Sequence, residues 1–68
     1  MKYNTVRSYS ASGKIMNEEH FRYVDEAYKA FCKWCEVAEG LPKGYETTIV
    51  RYDDTGYIMN MHTVIGMA

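Results

Sequence analysis

The sequence has one proline, five glycines and two cysteines in 68 residues. So little proline and glycine excludes a collagen-like or low-complexity chain, and a 47% hydrophobic content excludes a disordered one. Two cysteines, Cys32 and Cys35, are too few for a secreted disulfide scaffold of this size, which carries about four or more. The N-terminus, Met1-Lys2-Tyr3-Asn4, leads into polar residues rather than an apolar leader. These two features point to the reducing cytoplasm. No apolar run approaches the roughly 18 residues of a spanning helix, so no membrane contact is expected.

The usual catalytic signatures are also missing. There is no Gly-rich phosphate loop, no H-E-x-x-H and no Ser-His-Asp set. Asp53-Asp54 reads as a pair of turn formers rather than paired acids. The expectation is therefore a non-enzymatic chain without a cofactor. Cys32-Lys33-Trp34-Cys35 has C-x-x-C spacing, but it falls inside a helical pattern, away from the helix N-terminus that lowers thiol pKa values. Two small buried hydrophobes are the simpler reading. Cys32, Cys35, His20 and His62 make a candidate zinc set, yet the histidines lack the close spacing of zinc sites.

Charge is sparse and graded. Eight basic residues face nine acidic ones, for a net charge of −1. Lys2, Arg7 and Lys14 precede an acidic segment with Glu18, Glu19, Asp25, Glu26, Glu36 and Glu39. Three cations at one end are few for a nucleic-acid footprint, which argues against that partner.

A chain this short makes a single domain, residues 1–68, and buries only about 60% of its unfolded surface. Residues 2–10 are rich in β-formers, and Ser12-Gly13 marks a turn. Lys14 to Met16 either pair back as a short strand or continue a single one. Phe21, Val24, Tyr28, Phe31, Cys35 and Ala38 then recur at helical spacing, widened by Ala27, Cys32 and Trp34. Asn17 is a candidate N-cap and Asp25 its rival; the latter leaves residues 20–24 extended. Gly40 suits a left-handed helix end, and Pro42 prevents further winding. Residues 45–52 and 57–65 flank Asp53-Asp54-Thr55-Gly56 and predict a hairpin. The fold class is α+β, order β(β)-α-β-β, with a single long helix packed on a small antiparallel sheet.

With Tyr52 opposite Tyr57, the hairpin divides into two faces. Thr48, Val50, Tyr52, Tyr57, Met59, Met61 and Ile65 are expected beneath the helix. Tyr45, Thr47, Ile49, Arg51, Ile58, Asn60, His62 and Val64 are then left uncovered. Apolar residues with a polar rim have the anatomy of a partner-binding surface. Tyr45, Ile49, Arg51, Ile58, His62 and Val64, with Arg7, are the candidate contact residues. Seven tyrosines in the chain fit the same role.

Pro42-Lys43-Gly44-Tyr45-Glu46-Thr47-Thr48-Ile49-Val50-Arg51, preceded by Asp25-Glu26-Ala27 and Trp34, resembles the strand start of the small T7-type phage proteins that inhibit bacterial RNA polymerase. That family runs Pro-x-Gly-aromatic-Glu-x-Thr-x-Val-Arg after its helix. The resemblance implies a strand, helix and hairpin order and a non-enzymatic blocker of a bacterial host complex. Arg51 matches one of the family's two polymerase-contacting arginines, and Ile49 stands in place of the other. The leading expectation is a phage-type inhibitor of RNA polymerase or of a defence system such as a CRISPR effector. A homodimeric interaction module and a small zinc- or thiol-dependent domain on Cys32 and Cys35 are the alternatives.

Overall fold

A computed structural model describes residues 3–68; Lys2, assigned to the first strand from sequence, lies outside them. The elements are β1 (Asn4–Ser10), β2 (Ile15–Phe21), α1 (Val24–Glu39), β3 (Glu46–Tyr52) and β4 (Ile58–Ile65). The strands form one antiparallel sheet in the order β2-β1-β3-β4. This is the expected α+β architecture, and it resolves the N-terminal alternatives in favour of a full hairpin. Gly13, with φ of 86°, supplies the left-handed residue of its turn.

The helix is shorter than the Asn17 start implies. Residues 15–21 pair along β1 instead, and Asn17 lies opposite Ser8. Seven residues of ladder outweigh the local capping signal, as tertiary pairing commonly does. The N-cap is Tyr23, in extended conformation and with no side-chain capping bond. Gly40 is right-handed, with φ of −80°, rather than left-handed. The helix end is secured from elsewhere. Ala68 N–H donates to Leu41 C=O, Met67 N–H to Glu39 C=O, and Lys43 N–H to Ala68 C=O. Gly66 has backbone against backbone here. A Cβ on it would come within 2.3 Å of the Pro42 carbonyl oxygen.

The β3–β4 turn is as read from sequence. Asp53 Oδ1 accepts from Thr55 N–H, Thr55 Oγ1–H and Tyr57 N–H, and Gly56 has φ of 93°. The register beyond it differs. Tyr52 pairs with Ile58, Arg51 with Asn60 and Val50 with Met61, leaving an irregularity at Met59. Such a bulge shifts alternation along a strand.

The face assignment is also reversed. Val6 on β1 and Ile49 on β3 form the core with Ala27 and Phe31 of α1; Phe21, Ala30, Trp34 and Cys35 pack around them. Opposite residues share a face, so Asn4, Val6, Ser8, Thr47, Ile49, Arg51 and Val64 lie on the helix side, all buried. Thr5, Arg7, Tyr9, Thr48, Val50, Tyr52, Met61 and Ile65 lie on the other. The reason is bulk as much as polarity. Asn4, Ser8 and Thr47 are small and let the helix approach, whereas Arg7, Tyr9 and Tyr52 crowd the opposite face. On the helix itself the buried stripe centres on Ala27, Phe31 and Ala38; Val24 and Tyr28 are half exposed or more.

Candidate functional site

Three of the predicted contact residues are not at a free surface. Ile49 and Val64 are core residues, 1% and 5% exposed. Arg51 is 8% exposed; its Nε donates to Asn60 Oδ1 at 2.7 Å and its guanidinium lies 5.6 Å from the Tyr28 ring centre. Tyr28 thus caps a buried cation, and the arginine carried over by the resemblance serves the fold. These three are corrected as contact candidates because the helix covers the face that holds them. Tyr45 and His62 are exposed on that same side, beyond the helix. Ile58 is 55% exposed, and the bulge places it opposite Tyr52 on the uncovered face. Arg7 is there as well.

The uncovered face has two halves. Across β1 and β2 lies a linked polar cluster. Arg7 Nε donates to Glu18 Oε2, and the guanidinium stacks 5.1 Å from the Tyr52 ring centre. Tyr9 and Tyr52 share a hydroxyl–hydroxyl bond of 2.7 Å. Thr5 Oγ1 meets His20 Nδ1 at 3.0 Å, and His20 Nε2 is 3.4 Å from Glu18 Oε1. The contacts set the titration. Tyr9 and Glu18 hold Arg7 protonated, above its ordinary value. Arg7 holds the Glu18 carboxyl below its own. Burial raises Tyr52, reinforced by Tyr9; burial opposes ionisation of Tyr9 too, but bonds from Tyr52 and Arg7 outweigh it and lower Tyr9. The cluster is therefore a fixed pattern of charge and hydroxyls rather than a set of mobile side chains.

Across β3 and β4 the same face is apolar. Ile58, Met61 and Ile65 are 55%, 64% and 50% exposed. Val50, between Arg7 and Met61 in the register, is buried on the side away from the helix. The sequence reading placed Met61 and Ile65 under the helix and so missed them. Their spacing of four along a strand was the available signal, since even spacing keeps side chains on one face.

The thiol and metal candidates remain apart. Cys32 is exposed rather than buried, and Cys35 is half-buried. Burial raises the Cys35 thiol, with Cys32 and Glu39 adding to the effect, which is the reverse of what an activated thiol needs. His20 faces Thr5 on β2 and His62 lies on β4. Among the described residues no three His, Cys, Asp or Glu side chains come together as a metal site. Nor is any described helix long and apolar enough to cross a membrane.

A shallow groove lies on the helix side, between α1 and the β2 end of the sheet. Ser8, Met16, Asn17, Trp34, Val37, Leu41 and Thr47 contribute to its walls. Comparison of the chain with protein-family models, with curated proteins and with solved structures found no match.

Proposed function

We propose that the protein is a non-enzymatic, phage-type inhibitor that docks on a bacterial host protein complex through its uncovered sheet face. The observation that carries this reading is the pairing on one face of exposed Ile58, Met61 and Ile65 with the Arg7–Glu18–Tyr9–Tyr52 cluster. An apolar centre flanked by preset polar groups suits recognition of a protein surface. Each aliphatic side chain fully covered by a partner contributes about 1.5–3 kcal/mol. Little ordering cost attaches to the cluster, because its side chains already hold one another. The Pro42–Arg51 resemblance and the strand, helix and hairpin order support the host-blocking role. Because Arg51 is held beneath Tyr28, the contacts assigned to the target are Arg7, Tyr9, Ile58, Met61 and Ile65.

The test is capture from bacterial lysate followed by assay of the captured complex. Wild type and Lys33→Glu, altered on the outer surface of the helix, are expected to retain the same complex and to suppress its activity at stoichiometric amounts. Met61→Lys with Ile65→Lys is expected to lose both. Equal capture by all three would overturn this face.

A second reading, a homodimeric module, is favoured by β4. This edge strand, IMNMHTVI, has no Lys, Arg, Asp, Glu or Pro. The opposite edge, β2, carries Glu18 and Glu19. Uncharged edges are open to pairing with another strand, and β4 meets no like charge when it pairs with its own copy.

A further inference from the structure

The groove beside the helix is on the opposite side of the sheet from the proposed docking face and plays no part in that reading. Its volume is about 340 Å³, within the range of small-molecule sites. Met16, Trp34, Val37, Ala38, Leu41 and Ile49 supply the apolar walls. No residue lining it is charged. Met16 and Val37 are 44% and 61% exposed, so the mouth is open to solvent.

Three residues bring polar side chains to these walls. Two of them satisfy each other: Asn17 Nδ2 donates to Ser8 Oγ at 3.3 Å. The third does not. Thr47 is 4% exposed, and its Oγ1 is buried without a hydrogen-bond partner among the described residues. A buried hydroxyl left in this state is costly, and such groups in native folds call for an explanation. Valine would fill the same volume without that cost, so the oxygen itself needs a purpose.

We propose that the groove binds a small uncharged ring compound carrying one hydrogen-bonding group, of the phenol or indole class. The ring lies against Trp34, Val37 and Leu41, and its polar group meets Thr47 Oγ1. A hydroxyl both donates and accepts, so an O–H or N–H group on the ring completes the pair. A charged ligand has no counter-charge in these walls and loses its hydration on entry. One hydrogen bond at the floor of an apolar cleft gives orientation, and the ring supplies most of the contact.

Trp34 is the sole tryptophan, so its fluorescence reports directly on the groove. The experiment titrates the full chain with p-cresol, toluene and benzoate, following Trp34 emission and amide shifts by NMR. Saturable binding of p-cresol is expected, roughly tenfold tighter than toluene, the size expected for one hydrogen bond to a buried group. Benzoate is expected to leave Trp34 and the groove amides unchanged. Thr47→Val should keep toluene binding and erase the preference for p-cresol. Val37→Glu, at the exposed mouth and away from the core, should weaken both rings with melting unchanged. Equal affinity for p-cresol and toluene in the wild type would mean that water alone satisfies Thr47, and would overturn the proposal. A preference that survives Thr47→Val, or no saturable binding of either ring, would overturn it as well.

Discussion

Ile49 and Met61 separate folding from recognition in the hairpin. Ile49 contacts the helix core and is 1% exposed; Met61, on the next strand, is 64% exposed on the opposite face. Ile49→Ala is expected to cost about 2–5 kcal/mol, the usual range for truncating a buried aliphatic. Met61→Ala should change stability by no more than about 0.5 kcal/mol, as exposed positions do. Urea denaturation of the two variants checks both; a larger loss at Met61 would reverse the face assignment. The sequence alone suggested the opposite choice, for a physical reason. Val50, Met59, Met61 and Ile65 nearly balance Ile49, Ile58 and Val64 in apolar content, so hydrophobicity did not select a face. Side-chain bulk on β1 did. Val6 and Ser8 leave room for Ala27, whereas Arg7 and Tyr9 do not. Arg51 was misleading in another way, because a charged residue is rarely buried without an opposite charge. Here Asn60 and the face of Tyr28 take that part.

Among the elements, those with strong periodicity and turn chemistry were legible: the body of the helix, the two strands of the C-terminal hairpin and the Asp53–Gly56 turn. Elements whose limits depend on long-range pairing were not. Asn17 followed by two glutamates has the composition of a helix start, but Ile15–Phe21 has a partner in β1 and becomes strand. The helix that remains starts at Val24 behind Tyr23, which has an extended backbone, φ −112° and ψ 143°, and no capping side chain. That is the backbone a serine or aspartate cap requires. Tyr23 is also 60% exposed, so its ring contributes little packing. Tyr23→Ser is therefore expected to stabilise the fold by about 0.5–1 kcal/mol. A rise in the thermal or urea midpoint without a change in denaturant slope is the signature. A fall would place Tyr23 in a packing role that its exposure does not indicate.

The whole molecule is thin, with principal extents of 38, 22 and 15 Å. One helix closes one side, and both sheet edges are outermost strands. A chain of this size has a small stability margin, so an association that favours the folded form has a large proportional effect. The uncharged β4 edge supplies a route: antiparallel pairing of two β4 strands extends the sheet to twice its width and puts both uncovered faces on the same side. In that case melting depends on protein concentration, because mass action favours the folded dimer. Purified wild type is expected to melt higher as concentration increases from micromolar to millimolar and to sediment as a dimer at the upper end. Met59→Lys with Met61→Lys puts two positive charges on the edge and two more across the paired strand, and should give a monomer whose melting is flat with concentration. Both methionines are more than half exposed, so the monomer should remain folded. A wild type that melts at one temperature throughout that range and sediments as a monomer leaves β4 as an unpaired edge, and the uncovered face is then available only to a different protein.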